Sequence, residues 1–430
     1  MKYFKYFFQI NIVVLAIFIF SCKKEENQKP LISISLPIKN TYFSYGDTIP
    51  IKASVSDDSE IKSVEIKLYD ANNVSMLATI QIDVNAKEID INRYLVIDNK
   101  DIESGEYFVR VSATDNEGES NSALQPVYIN EMVRKFSNFI FFCKASSGYN
   151  VVSVNNNQTQ NILKNLSNEY SYSYVSSKNE LILYSGSFLS DLFAINSTNA
   201  LVKWSVLNKG SSIMPYFSGI YTNEYETYVS LYSGAVQEYS RYGGILRTFD
   251  VGNMYWPMQV LKHDNHLVVT TSYKSGTSYS LNVFNFVTTN LTQSMPMSEK
   301  PVKVIPRNAN ELLLFANQGN QGVLNIYKYD ENNCWQPHTL SGKFIDAVKI
   351  DENNYIISTS DEVSWYNYLN NSITPFGPAF ANKIAYEDIS GQVVFVKDNI
   401  VQMYSYPNNQ KISEFAVADS IESFYLMYNR

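Results

Sequence analysis

Between Arg134 and Arg430 a single unit recurs. A short apolar strand leads through an Asn-rich turn to a strongly apolar strand, then a Gly/Ser turn, an aromatic strand and a more polar fourth strand. The first apolar residue of the second strand marks each copy: Phe139, Leu181, Tyr228, Leu267, Leu312, Tyr355 and Val393, with steps of 42, 47, 39, 45, 43 and 38. The turn before the mark carries Asn138, Asn179, Asn265, Asn310 and Asn354, and Gly391 in the last copy; the third copy lacks it. A mean step of about 42 residues is the length of a four-stranded propeller blade. Such a sheet cannot bury its faces alone, so the copies must stack, and the array must close on itself or leave exposed edges. The first copy starts at its second strand, preceded only by Met132-Val133-Arg134, while residues 421–428 read as an orphan first strand. The expectation over 134–430 is a seven-bladed β-propeller closed by the C-terminal strand.

Upstream, residues 31–130 alternate apolar and polar with frequent turn signals, and strands are expected at 31–36, 48–55, 61–69, 89–97, 107–113 and 123–129. That spacing suits a seven-strand sandwich. The stretch SGEYFVRVSATDNEG at 104–118 resembles the penultimate strand and hairpin of immunoglobulin-like and fibronectin-like domains, with Tyr107 where those families place a corner tyrosine. The resemblance implies an immunoglobulin-like β-sandwich, and an all-β chain throughout. Asp57, Asp58, Asp115 and Glu117 fall in turns where related domains sometimes bind calcium, and turn-forming chemistry explains them equally well.

Lys2 and Lys5 precede an apolar run over 6–20, interrupted only by Gln9 and Asn11 and ending at Ser21-Cys22. The run is shorter than the roughly 20 apolar residues a bilayer core requires, so residues 1–21 read as a signal peptide. Ser21-Cys22 resembles the lipobox of bacterial lipoproteins, although Phe20 departs from the usual small residue. The resemblance implies lipidation of Cys22, and the membrane as a partner through that lipid. Residues 22–30 are polar and end in proline, as a solvated tether does. Lys24-Glu25-Glu26 resembles the surface-export signal of some Gram-negative lipoproteins, which implies the outer membrane and exposure at the cell surface; a charged spacer is the other reading.

The formal charge is −8, and no basic stripe offers a face to nucleic-acid phosphates, so no nucleic-acid partner is expected. The second copy contains Ala194, Asn196 and Trp204, which resemble the repeat of quinoprotein-like and WD40-like propellers, where the Trp packs between blades. Asn199 and Ala200 replace the usual Thr-Gly. No cofactor or metal is expected: there is no adjacent Cys pair and no carboxylate cluster to hold a quinone-bound cation. His263 and His266 flank a turn and read as solvated, and Asp191, Asp250, Asp361 and Glu362 read as turn acids, so no catalytic residue is assigned. Cys143 and Cys334 fall in copies too far apart for a disulfide.

The loops joining second to third and fourth to first strands are rich in aromatics. Tyr255, Trp256, Tyr170, Tyr273, Tyr232 and Tyr149 are the candidate ligand-binding residues on that face. Phe188, Phe376 and Phe380 lie in the same loops. Tyrosine and tryptophan bring rigid area with a polar edge, suited to sugar stacking or protein hot spots. The expected function is a non-enzymatic envelope binding module for a glycan, a peptide or an assembly partner. The alternative is a propeller enzyme acting on an extracellular polymer, which would need acids converging at the central channel.

Overall fold

A computed structural model describes residues 27–166, 169–223 and 225–430. The signal peptide expected over 1–21, Cys22 and the first part of the tether lie outside them. The described chain is all-β and divides into two compact units, one running to Val133 and one over Arg134–Arg430.

The first unit is a six-stranded sheet. Its strands are β1 (Leu31–Leu36), β2 (Thr41–Ser44), β3 (Thr48–Tyr69), β4 (Ile80–Val96), β5 (Gly105–Asp115) and β6 (Ser120–Asn130). The strands expected at 48–55 and 61–69 are one continuous strand, β3, so six hydrogen-bonded strands replace the seven anticipated. The reason lies at Ser56-Asp57-Asp58-Ser59-Glu60. The Asp57 carboxylate accepts the Ser59 amide at 2.8 Å, making a local bulge instead of a chain reversal, and the ladder to β4 resumes at Ile61. The β3 core face runs Ile49, Ile51, Val55, Val64, Ile66 and Leu68, all at most 1% exposed. Tyr107 closes the corner before β5, donating its hydroxyl to the Glu103 carbonyl at 2.8 Å. Asp115 is fully buried and accepts the Glu117 and Glu119 amides at 2.9 and 2.8 Å, so this acid organises its own hairpin.

The second unit contains seven four-stranded antiparallel sheets. We label them I to VII by their first strands: Ser420–Tyr428 (I), Tyr172–Ser176 (II), Phe217–Thr222 (III), Tyr255–His263 (IV), Lys300–Asn308 (V), Phe344–Lys349 (VI) and Lys383–Glu387 (VII). Sheet I joins the two ends of the unit, because Ser420–Tyr428 pairs antiparallel with Phe136–Ala145. First strands of successive sheets lie against one another, and Ser420–Tyr428 touches those of both VII and II. A buried apolar cluster fills every junction between neighbours, I with II through VI with VII and also VII with I.

This arrangement follows from the repeat. All seven marks sit in second strands and are at most 3% exposed. A second strand is covered on both faces, so it reads as a continuous apolar run, as in Leu181–Ser185 and Glu311–Gln318. Trp204, on the last strand of sheet II, stacks on Tyr239 of sheet III with ring centroids 5.7 Å apart and donates Nε1–H to the Arg241 carbonyl at 3.1 Å. Gly243 makes room for that indole: its φ is +84°, and a Cβ there would lie 2.7 Å from Trp204 Cγ.

Candidate functional site

The first strands of all seven sheets line one cavity of about 880 Å³. Sheets I to III contribute hydroxyls. Tyr170 OH shares hydrogen bonds with Ser173 Oγ at 2.7 Å and Ser423 Oγ at 2.6 Å, and Tyr425 OH donates to the Ser173 carbonyl at 2.6 Å. Ser173 Oγ and Ser423 Oγ lie 2.8 Å apart and complete the network. Burial pushes Tyr170 up to about 12, against the lowering effect of its serine partners, and pushes Tyr425 and Tyr221 higher still. These phenols therefore stay protonated and act as neutral donors and acceptors. Tyr221 donates to the Met258 carbonyl, tying sheet III to sheet IV. In the same wall the buried Ser218 hydroxyl has no partner among the described residues.

Sheets V to VII contribute charge. Lys303 Nζ lies 2.6 Å from Asp346 Oδ1, and Asp346 also accepts the Ala347 and Ile384 amides, each at 2.9 Å. Lys383, from the next sheet, lines the cavity with no ion pair among the described residues. Among the described residues, the carboxylates lining the cavity are Asp346 and Glu422. They come from sheets VI and I, which are separated by VII, and Asp346 is already held by a lysine and two amides.

A second cavity of about 900 Å³ adjoins the first and shares Met258, Gln259, Val302 and Ile345 with it. Lys300 and Lys343 lie at its edge, and Asn317 and Ser360 add amide and hydroxyl groups.

The six aromatic residues singled out in the sequence fall into two groups. Tyr255 meets Tyr273 edge to face at 5.4 Å, and Tyr232 meets Trp256 likewise at 5.2 Å. All four are half-buried on neighbouring sheets III and IV, and Lys274 Nζ lies 5.0 Å from the Tyr232 ring centre. Tyr149 and Tyr170 pack together at 4.9 Å on the opposite side of sheet II and line the first cavity. Phe376, another aromatic of these loops, is only 3% exposed and packs against Trp365 and Tyr406, so its work is in the core.

His263 and His266 depart from the solvated turn expected of them. Both are half-buried, His266 stacks on Tyr329 at 4.7 Å, and His263 Nδ1 lies 3.0 Å from Tyr329 OH. Burial lowers His263 below the ordinary histidine range. Cys143 is buried and Cys334 half-buried, both as free thiols.

Reading the sequence alone missed Ser173, Ser423, Tyr425, Lys303, Asp346 and Lys383, which are polar residues scattered over the first strands of sheets I, II, V, VI and VII. It also missed Glu169. This carboxylate accepts the amides of Ser187, Phe188 and Leu189 at 2.9 to 3.0 Å and shapes the loop beside Tyr170.

Residues 20–129 match the domain of unknown function DUF4625. No curated protein matches the chain. Among solved structures, the computationally designed Ika8 protein is similar at 12% identity, covering 67% of this chain and 89% of its own, with a TM-score of 0.45. A chain of the Mitotic Checkpoint Complex is similar at 12% identity over 59% of this chain and 80% of its own, with a TM-score of 0.46. Kuenenia stuttgartiensis hydrazine synthase is similar at 10% identity over 65% of this chain and 92% of its own, with a TM-score of 0.47. Likeness at this level says nothing about activity.

Proposed function

We propose that this chain is a non-enzymatic, lipid-anchored protein of the cell envelope that captures a ligand in the cavity of its second unit. In this reading Cys22 carries the lipid at the outer membrane, an immunoglobulin-like unit follows the tether, and the seven sheets form a closed seven-bladed propeller with residues 420–428 as its clasp. The observation that carries the binding role is the cavity itself. It is large enough for a small ligand, it is lined from seven separate sheets, and its walls offer neutral hydroxyls and lysines. Its one deeply placed acid, Asp346, is neutralised by Lys303. A glycosidase-type site uses a pair of carboxyl groups flanking the bond to be cut, and the pairing of Asp346 with Lys303 supports holding over cleavage.

The test is a thermal-shift screen of the full chain against neutral and acidic glycans and peptides, with product analysis of every hit. Saturable stabilisation without product, weakened in a Ser423→Ala, Tyr425→Phe variant, supports the reading. Product formation overturns the non-enzymatic assignment, and hits indifferent to the variant overturn the location. In intact cells, a Cys22→Ser variant should leave the membrane fraction; full retention there would remove the lipid anchor from the reading.

A further inference from the structure

Superimposing the repeats on their marks brings out a belt around the cavity. In each sheet, take the first-strand residue that pairs with the mark and step back three positions. The residues reached are Ser423, Ser173 and Ser218 in sheets I to III, Gln259 in sheet IV, and Lys303, Asp346 and Lys383 in sheets V to VII. All seven line the cavity and all seven are polar. In sheet III the ladder slips at Ser218, which keeps its place in the count. The belt is two-sided, with three serines from consecutive sheets facing a run of Lys, Asp and Lys from the three consecutive sheets on the other side of Gln259.

We infer that this belt, with the adjoining cavity, binds an acidic oligosaccharide, meaning a sugar chain bearing carboxylates. The inference rests on the binding role proposed above and narrows it to a ligand class. Four observations lead to it. The hydroxyl side, with Tyr170 and Tyr425 behind the serines, gives the short-range donors and acceptors that a polyol needs. Among the described residues, the first cavity is lined by Lys262, Lys303 and Lys383 against Asp346 and Glu422, and the adjoining cavity adds Lys300 and Lys343 with no carboxylate. A cleft of net positive charge in a chain of formal charge −8 focuses potential toward an anion. Among the described residues no arginine lines either cavity, so the planar fork that grips phosphate in a bidentate manner is missing there, while lysine point charges suit carboxylates spaced along a chain. The Tyr149–Tyr170 pair supplies aromatic surface at the edge of the hydroxyl wall, suited to sugar C–H faces.

The experiment is isothermal titration of the full chain with trigalacturonate and with its fully methyl-esterified form, which keeps the sugar and removes the charge. Trigalacturonate should bind, esterification should weaken it about tenfold or more, and added salt should weaken the acid but not the ester. Lys383→Met and Lys343→Met should each weaken the acid about three- to tenfold and leave the ester unchanged. Equal binding of acid and ester overturns the acidic class and leaves the cavity as a neutral-ligand site. Equal competition by poly-glutamate overturns the saccharide class, since charge alone would then suffice. Binding of the acid that ignores both lysine variants places the site elsewhere and overturns the inference. Failure of trigalacturonate, hyaluronate, alginate and sialyllactose alike also overturns it, whereas the wider binding role is judged separately by hits in the unrestricted screen.

Discussion

Phe424 offers the sharpest test of how the second unit holds together. It lies on the strand Ser420–Tyr428, is 7% exposed, and stacks on Phe141 with centroids 6.1 Å apart. Its cluster also draws in Val394, Val396 and Phe415 from sheet VII, so it sits where the two ends of the second unit and the neighbouring sheet meet. Phe424→Ala removes a ring from a site whose neighbours belong to separate sheets and cannot easily collapse into the gap. The cost should fall in the range of about 3–5 kcal/mol for a buried Phe→Ala change. With a urea m-value of about 3 kcal/mol/M for a unit of this size, that is a midpoint shift of about 1 to 1.7 M. All four tryptophans, Trp204, Trp256, Trp335 and Trp365, lie in the second unit, so tryptophan fluorescence reports its unfolding without interference from the first. A shift below about 0.3 M would refute the claim that this strand is integral to the core. Deleting residues 420–430 extends the argument. Ile421, Phe424, Met427 and Tyr428 are each at most 7% exposed, and at about 1.5–3 kcal/mol per side chain their loss approaches the whole stability of a typical domain. The truncated chain should show no cooperative tryptophan transition.

Three further outcomes are expected. Glu169→Gln should destabilise by about 1 kcal/mol at neutral pH. Burial alone would raise this carboxyl, but the amides of Leu189, Phe188 and Ser187 and the Ser171 hydroxyl outweigh it and hold the group below the usual range. Its contribution is therefore present above the ordinary glutamate pKa of about 4.3 and lost as pH falls through the lower folded value, so the urea midpoints of wild type and variant should converge between about pH 6 and pH 3. Gly243→Ala should cost about 2–3 kcal/mol, from the positive φ and the clash with the Trp204 ring; the penalty should shrink in a Trp204→Leu background if the clash is the cause. In a Cys22→Ser chain the remaining thiols should resist a disulfide reagent at about pH 8 until urea unfolds the protein, because burial pushes Cys143 and Cys334 each up to about 12. Rapid labelling of the native chain would contradict that packing.

Legibility in the sequence followed burial. Second strands are covered on both faces, so their apolar runs stand out and all seven marks fall where the repeat places them. The Ser56–Glu60 segment misled because its Asp-Asp-Ser chemistry signals a turn, while the flanking apolar residues keep the ladder going on either side. The aromatics Tyr232, Trp256, Tyr255 and Tyr273 read as loop residues in the sequence, but Tyr255, Trp256 and Tyr273 lie at strand ends of sheet IV, where Tyr255 and Tyr273 are cross-strand partners, and Tyr232 follows the second strand of sheet III. Lys303, Asp346 and Lys383 were not readable one at a time. Each shares its first strand with other polar residues and is separated by about 40 residues from the next, the period of the repeat itself. The signal was present only in the alignment of copies, as a polar residue 8 to 10 positions before the mark in every repeat that has an upstream first strand.

The polarity of that belt needs an explanation that folding does not supply. A lysine–aspartate pair taken partly out of water contributes little net stability, and a well-packed apolar pair often does as well or better. The two lysines of the belt make this testable, because they differ in what they touch. Lys303 holds Asp346, whose carboxylate is 12% exposed and is also fixed by two amides. Lys303→Met strands that charge and should destabilise by about 1–2 kcal/mol. Lys383 has no acid to strand among the described residues, so Lys383→Met should leave the urea midpoint unchanged or raise it. If both substitutions destabilise alike, the belt is a structural network and its lysines are accounted for by the fold. If Lys383→Met is silent in stability and costly in binding, that charge exists for what enters the cavity.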